Sequence, residues 1–254
     1  EVAALINRKL AERGGNVPLI AETGGQNAMI VDSTALPEQV VGDVLASAFD
    51  SAGQRCSALR VLCLQQDIAD GVLHMLQGAL AELRLGNAAD VRGDIGPVID
   101  SDARNGLEAH VAAMQAKGAR VTRLPLPAEC AHGTFVAPTI IEIGALAELG
   151  REQFGPILHV LRYRASELDG LIDAINASGY GLTMGVHTRI DETVERVAAR
   201  AHVGNLYVNR NIIGAVVGVQ PFGGEGLSGT GPKAGGPLYL HRLLARTPGP
   251  VLAD

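Results

Sequence analysis

Residues 28–64, AMIVDSTALPEQVVGDVLASAFDSAGQRCSALRVLCL, place an apolar run, a helical pattern and a second apolar run in direct succession. The runs at 28–31 and 59–64 predict strands. Apolar residues at positions 40, 41, 44, 45, 48 and 49 predict a helix over 37–51, with Asp32 and Ser33 as its capping signal. Because each run is almost continuously apolar, we expect parallel strands covered by helices.

The same alternation continues on both sides of this stretch. Apolar periodicity predicts further helices over 2–13, 68–83, 102–117, 168–177 and 191–201. Apolar runs predict further strands over 17–21, 120–124, 135–143, 157–163, 182–187 and 205–208. The sequence therefore predicts an α/β fold with three layers, αβα, around a mostly parallel sheet with helices on both faces.

Composition excludes several classes of protein. The chain has 254 residues, a net charge of −6, 3% aromatic residues and no tryptophan, which argues against nucleic-acid binding. Its three cysteines have no ligand or disulfide spacing, so we expect no metal site and a reducing cytoplasm. No apolar run reaches the roughly 20 residues that span a bilayer, so we expect no transmembrane segment.

The chain starts without methionine inside a helical pattern, and we expect it to be cut from a longer protein.

Cys56 is the first candidate for chemistry. It follows Gly53 and Arg55 in the segment AGQRCSA, among small residues. A neighbouring cation or helix terminus lowers a thiol pKa, so this setting favours an accessible, partly ionised thiol. A lone cysteine is more often a buried structural residue, and the segment alone leaves both readings open.

Three other segments carry polar residues beside glycines. Residues 22–27, ETGGQN, place a carboxylate after the predicted strand 17–21, at the rim of the sheet, where parallel sheets bind ligands beyond their carboxyl ends. Residues 151–156 read REQFGP, and residues 220–229 read QPFGGEGLSG. Each could also be an ordinary turn.

Taken in order, these segments resemble the aldehyde dehydrogenase superfamily, and the interval of 34 positions between Glu22 and Cys56 matches that family. Residues 19–28, 209–211 and 218–236 are similar to one branch of it. That branch is the L-glutamate γ-semialdehyde (Δ1-pyrroline-5-carboxylate) dehydrogenase module of bifunctional proline utilization A. The resemblance covers essentially the whole chain and implies NAD-dependent oxidation of L-glutamate γ-semialdehyde to L-glutamate in proline catabolism.

The resemblance also implies the roles of residues. Cys56 would be the nucleophile that forms a thiohemiacetal and then a thioester, with its own backbone N–H stabilising the oxyanion. Glu22 would be the general base for the hydrolytic water. Glu152 would hydrogen-bond the nicotinamide ribose of NAD, and Phe154 would pack beside the nicotinamide.

Substrate binding is implied for a third set of residues. Arg55 and Ser57 would flank the nucleophile and reach the substrate carboxylate, the backbone at Gly214 and Ala215 would anchor it, and Phe222 would pack on its aliphatic part. Two alternatives stay open at this point. Arg55 could form only a surface ion pair, and the backbone at 214–215 could be only a packed turn.

The resemblance implies three parts of the chain: the last piece of an NAD-binding domain over 1–21, a catalytic domain over 22–228, and a segment over 229–254 that returns toward the missing cofactor and oligomerisation part. The residues that would bind the adenosine part of NAD would precede Glu1, so we expect the 254 residues alone to be inactive. A fused proline dehydrogenase with FAD would lie outside the chain.

The longer protein is expected to be a cytoplasmic homo-oligomer, peripheral at the inner membrane. Two other functions stay open: an NAD(P)-dependent dehydrogenase of another semialdehyde, and a non-catalytic structural module. A degraded module should lack the reactive residues, whereas Cys56 and Glu22 are both present.

Overall fold

A computed structural model describes residues 2–15 and 17–244. The helices, in chain order, are α1 (Val2–Arg13), α2 (Pro37–Phe49), α3 (Gln66–Ala81), α4 (Ser101–Ala116), α5 (Leu168–Ala177), α6 (Asp191–Arg200) and α7 (Tyr239–Arg242). The strands are β1 (Ala28–Val31), β2 (Val61–Gln65), β3 (Arg120–Arg123), β4 (Thr139–Ile143), β5 (Ile157–Tyr163), β6 (Tyr180–Gly181), β7 (Thr183–His187), β8 (Asn205–Val208) and β9 (Glu225–Gly226). Among these residues no helix combines the length and the apolar character needed to cross a bilayer.

A seven-stranded sheet forms the middle layer, in the order β3-β4-β5-β2-β1-β7-β8. Every neighbouring pair is parallel except β3 with β4, which is antiparallel. All residues of β1, β2 and β7 are buried, as expected for strands covered on both faces. The predicted mostly parallel α/β sheet is confirmed.

The helices lie in pairs against this sheet, α2 with α3 and α5 with α6. The crossover through α2 leads from β1 to β2 in one direction along the sheet, and the crossover through α6 leads from β7 to β8 in the other. Right-handed crossovers that run in opposite directions place their helices on opposite faces. This gives the three-layer αβα arrangement.

Two local predictions are wrong. Residues 17–21 form no strand: the backbone of Ala21 bonds Thr230, and the next residue, Glu22, forms an isolated bridge with Gly229. Asp32 does not cap α2, whose N-cap is Leu36 followed by Pro37 as the first helical residue. The carboxylate of Asp32 instead accepts hydrogen bonds from Thr34.

The predicted strand over 135–143 is shorter in the structure and begins at Thr139. Proline lacks an N–H, and Pro138 directly precedes the strand. Its carbonyl still accepts a bond from the N–H of Leu124. For the predicted end segments 1–21 and 229–254, residues 1, 16 and 245–254 lie outside the described residues.

Candidate active site

The segment that carries Cys56 follows α2 as a tight, left-handed turn. Ser51, Ala52 and Gly53 have φ values of 57°, 53° and 64°, which only glycine adopts without cost. Such a conformation costs an ordinary residue roughly 1–3 kcal/mol and persists only when its surroundings fix it. A Cβ on Gly53 would lie 2.2 Å from the carbonyl oxygen of Gly155, so this segment is pressed directly against the chain before β5.

Cys56 itself is half-buried and is a free thiol. Burial raises the pKa of Cys56, the backbone N–H groups of Ser57 and Cys56 oppose this, and the negative charges of Glu22 and Glu152 raise it further. The direction of this shift is opposite to the lowered thiol pKa that the sequence favours. The same charges show that the fold brings both glutamates close to the thiol.

The candidate segments meet at the amino edge of the sheet. Residues 22–27 precede β1, residues 52–58 precede β2 and residues 151–156 precede β5. Because β5, β2 and β1 are parallel neighbours, their amino ends lie side by side. The expectation that Glu22 follows the carboxyl end of a strand is therefore wrong, since residues 17–21 form no strand.

Glu22 is exposed beside the Gly-rich segment. Around it, the N–H of Thr23 donates to the carbonyl of Ser228 at 3.1 Å. A Cβ on Gly223 would lie 3.4 Å from Oε1 of Glu22, so the backbone of Gly223 borders the carboxylate directly. Phe222 lies next to this contact, and its N–H and C=O both pair with Ala234.

Glu152 and Phe154 both contact one guanidinium, that of Arg60. Arg60 donates from Nη2 to Oε1 of Glu152 at 3.1 Å, and its Cζ lies 5.2 Å from the centroid of the Phe154 ring. Oε2 of Glu152 accepts from the N–H of Gly25 at 3.2 Å. Burial raises the pKa of Glu152, and Arg60 opposes the rise.

These two residues fit the nicotinamide half of a dinucleotide. The ring of Phe154 stays 44% exposed although Arg60 lies over it, so it offers a surface to a planar group. Oε1 of Glu152 already accepts from both Nε and Nη2 of Arg60, whereas Oε2 accepts from the N–H of Gly25 and has capacity for a further donor, which suits a ribose hydroxyl. Across the described residues, no group of three or more His, Cys, Asp or Glu side chains could hold a metal ion.

The residues predicted to bind substrate are less closely gathered. Arg55 is exposed, its Nε donates to Oγ of Ser51 at 3.1 Å, and its charge lowers the pKa of Asp50, against a larger rise caused by burial. Ser57 is 7% exposed, and its carbonyl accepts from the hydroxyl of Thr183. Arg55 thus remains open to both of its interpretations.

Gly214 and Ala215 are half-buried after β8. The carbonyl of Gly214 accepts from Nη2 of Arg210 at 3.0 Å, and a Cβ on Gly214 would lie 2.4 Å from that nitrogen. This turn is therefore packed. No hydrogen bond between it and residues 22–27 or 52–58 occurs among the described residues.

Sequence reasoning missed two buried polar residues at this edge. Asn27 is 2% exposed; its Nδ2 donates to the carbonyls of Cys56 at 2.7 Å and Ala58 at 2.8 Å, and its Oδ1 accepts from the N–H of Thr183 at 3.1 Å. Arg60 is 1% exposed. The available signal was a polar residue inside or beside an apolar strand pattern, because a buried polar group needs partners.

Other side chains of reactive type form no hydrogen bond with Cys56, Glu22 or Glu152 among the described residues. Cys63 is fully buried in β2, which raises its pKa to about 12, and Cys130 is 2% exposed. Nζ of Lys233 donates to the carbonyl of Gly204. His110 and His159 contact each other through Nε2 atoms 2.9 Å apart, and Nδ1 of His159 lies 3.3 Å from the carbonyl oxygen of Arg60.

Sequence comparison matches this chain to large bifunctional proteins. It is 64% identical over 262 residues to the bifunctional protein PutA of Escherichia coli strain K12, an alignment that covers 100% of this chain and 20% of that protein. The chain thus spans about a fifth of the length of that curated relative.

Solved structures agree. A crystal structure of bifunctional proline utilization A (PutA) superposes with a TM-score of 0.91 at 58% identity, over 95% of this chain and 24% of that one. A 1-pyrroline-5-carboxylate dehydrogenase from Thermus, solved with bound NAD, gives a TM-score of 0.79 at 35% identity, over 88% of this chain and 43% of that one. The aldehyde dehydrogenase family model matches residues 1–247. With nearly every residue covered by that match, the chain belongs to the aldehyde dehydrogenase family.

Proposed function

We propose that this chain carries the catalytic site of an NAD-dependent L-glutamate γ-semialdehyde (Δ1-pyrroline-5-carboxylate) dehydrogenase of proline catabolism. The observation that carries the proposal is the position of Cys56, a half-buried thiol close enough to Glu22 and Glu152 for both charges to act on it. The identity to PutA and to a 1-pyrroline-5-carboxylate dehydrogenase supports the substrate.

The first step is the attack of Cys56 on the aldehyde carbon. The thiol must lose its proton first, because its pKa is raised and the thiolate is the nucleophile. Glu22 is the nearby exposed carboxylate that can take this proton, directly or through water. As the Sγ–C bond forms, the carbonyl oxygen becomes an oxyanion, and the backbone N–H of Cys56 donates to it.

Glu152 and Phe154 hold the nicotinamide half of NAD, one through ribose hydroxyls and the other through its ring. NAD, when bound, supplies the hydride acceptor that takes the carbon on Cys56 to the oxidation level of an acid. Glu22 passes the proton of the thiol on to solvent and, ionised again, removes a proton from a water molecule, which attacks the thioester carbon. The Sγ–C bond breaks, the carboxylate product leaves, and Cys56 is regenerated.

The substrate carboxylate needs fixed donors. We assign this role to Arg55, to Ser57 and to the backbone at Gly214 and Ala215, with Phe222 packing on the aliphatic part. Support comes from the exposed guanidinium of Arg55 next to the nucleophile and from the contact between Glu22 and the backbone beside Phe222.

We further propose that residues 1–21 end an NAD-binding domain, that 22–228 form the catalytic domain, and that 229–254 return toward the cofactor part. The five-fold greater length of PutA supports a longer protein, fused to a proline dehydrogenase with FAD and assembled as a homo-oligomer. A cytoplasmic setting, peripheral at the inner membrane, suits a nucleophile that must stay a free thiol; each described cysteine is free.

The deciding experiment is NAD reduction by the full-length natural protein that carries these residues, with L-glutamate γ-semialdehyde and with succinate semialdehyde. Cys56→Ala should reduce turnover to background, whereas the control Cys130→Ala should not. A Cys56→Ala protein that turns over normally, or a preference for succinate semialdehyde, would contradict the proposal. Residues 1–254 alone should show no turnover, and turnover at the rate of the full-length protein would contradict the domain assignment.

A further inference from the structure

Arg60 is the largest fully buried side chain of the described residues, although it carries a charge. It directly precedes the first residue of β2. Its backbone is fixed, because its carbonyl accepts from the N–H of His159 at 2.9 Å and its N–H donates to the carbonyl of Asn27 at 2.9 Å. Burying a guanidinium is costly unless all of its donors are used. Its side chain therefore needs a specific reason to be there.

The donors of Arg60 reach the two segments that border the thiol. Toward the nucleophile segment, Nη1 donates to the carbonyl of Gly53 at 2.7 Å and Nη2 to the carbonyl of Arg55 at 3.2 Å. Toward the segment before β5, Nη1 donates to the carbonyl of Gly155 at 3.2 Å and Nη2 to Glu152. One planar group thus holds both segments at once.

The aromatic ring of Phe154 adds a fifth contact on the same side. The guanidinium carbon lies 5.2 Å from the ring centroid, within the range of a cation–π interaction. Both side chains proposed to hold the nicotinamide half of NAD therefore contact Arg60. The carbonyls of Gly53 and Arg55, in the segment that leads to Cys56, accept hydrogen bonds from the same guanidinium.

We propose that Arg60 is a positioning residue that couples the nucleophile segment 53–56 to the nicotinamide-holding segment 152–155. Displacing either segment breaks bonds to the same guanidinium, so the placement of the thiol and the affinity for NAD change together. This inference rests on the proposed function, because it assumes that Glu152 and Phe154 contact NAD.

The decisive variant is Arg60→Lys in the full-length natural protein. Lysine keeps the charge but is a single point donor, and it cannot reproduce the planar fork that bonds both segments. A misplacement of about 1 Å can cost about 10²-fold in rate, so we expect kcat to fall by about that factor and the Kd for NAD to rise at least tenfold. Alkylation of Cys56 by iodoacetamide, measured without NAD, should change in rate at the same time.

The matched control is Arg123→Lys, which alters another arginine paired with a glutamate, Glu108, on β3 and α4. It should leave the Kd for NAD and the alkylation rate unchanged. Arg60→Met adds a pH test. Without the positive charge near Cys56, its alkylation profile should move to higher pH.

Two outcomes overturn the inference. If Arg60→Lys lowers only the denaturation midpoint and leaves the Kd and the alkylation rate as in the wild type, Arg60 is merely structural. If it changes one of these two measurements without the other, the segments are not coupled. If Arg60→Met does not fold, the lysine variant decides alone. Absence of aldehyde oxidation in the wild type would instead contradict the proposed function, and the binding and alkylation measurements do not depend on turnover.

Discussion

Each end of β1 carries a buried polar network, but the two networks bind different segments of the chain. At the amino end, Asn27 binds the carbonyls of Cys56 and Ala58. At the carboxyl end, Asp32 accepts from the N–H and the hydroxyl of Thr34, at 2.8 Å and 2.6 Å, and from the hydroxyl of Thr188. The first network fixes the nucleophile segment, and the second joins two connecting turns.

The difference lies in what each network holds, since both are well buried and well bonded. Asn27 is 2% exposed and Asp32 is 7% exposed. In parallel sheets ligands usually bind beyond the carboxyl ends of the strands. Here that edge is closed by structural turns, and the candidate site lies at the amino edge. Burial of a polar residue therefore does not by itself indicate a functional role. The role depends on which segment of the chain the residue binds.

Among substitutions at the two edges of the sheet, Glu22→Gln at the amino edge should have the largest effect, which is a loss of turnover. Loss of a general base costs about 10²–10⁴-fold in turnover, measured by NAD reduction in the full-length protein. Removal of the negative charge also relieves its repulsion of the thiolate, so the alkylation profile of Cys56 should move to lower pH. The control is Glu38→Gln, an exposed glutamate at the carboxyl edge. A Glu22→Gln profile displaced to higher pH would contradict this account.

Asn27→Ala should be next in size. It leaves two carbonyls and one N–H without partners, at about 1–3 kcal/mol each, so the free energy of unfolding should fall by about 3 kcal/mol or more. The rate of Cys56 alkylation should change as well. Urea denaturation and iodoacetamide kinetics on the same samples measure both, and an unchanged alkylation rate would show that Asn27 does not fix the nucleophile.

Asp32→Asn at the opposite end should affect stability alone. Hydrogen bonds to charged groups contribute about 1.5–3 kcal/mol, and the amide keeps the shape of the side chain, so a loss of about that size or less is expected in urea. Alkylation of Cys56 should keep its wild-type rate. An altered rate would mean that the two ends of β1 act as one network.

The smallest effect should come from Arg196→Met, which removes an exposed ion pair with Asp169, 2.7 Å long, between α5 and α6. Exposed pairs are screened by solvent and contribute little. Neither the urea midpoint nor the alkylation rate should move measurably. A clear shift in either would show that surface charge acts at the amino edge.

Much of the fold follows from periodicity alone. Helix α5 and strands β5 and β8 have the bounds that the apolar pattern predicts, because each carries a face that can only be buried. The stretch 17–21 shows the limit of that reasoning. Its apolar residues suit a strand, but a strand forms only when a second strand pairs with it. The local sequence pattern does not indicate whether such a partner exists.

For the candidate site, the sequence indicates residues whose type the proposed chemistry demands, as for Cys56 and Glu22, but it does not indicate residues whose placement depends on distant contacts. Arg60 reads as one polar residue in an apolar run, and its partner Glu152 stands 92 positions away. The direction of the Cys56 pKa shift depends on burial and on two carboxylates from other segments, which a sequence motif does not report.

The bridge between Glu22 and Gly229 has a consequence for synthesis in the cell. The backbone N–H of Ala21 donates to the hydroxyl oxygen of Thr230, 209 positions later, so the place of Glu22 is not fixed until the chain has been made as far as Thr230. At 5–20 residues per second the ribosome needs roughly 10–40 s to cover that distance. A nascent chain that already carries Cys56 and Glu22 therefore has an unfinished candidate site during most of this interval.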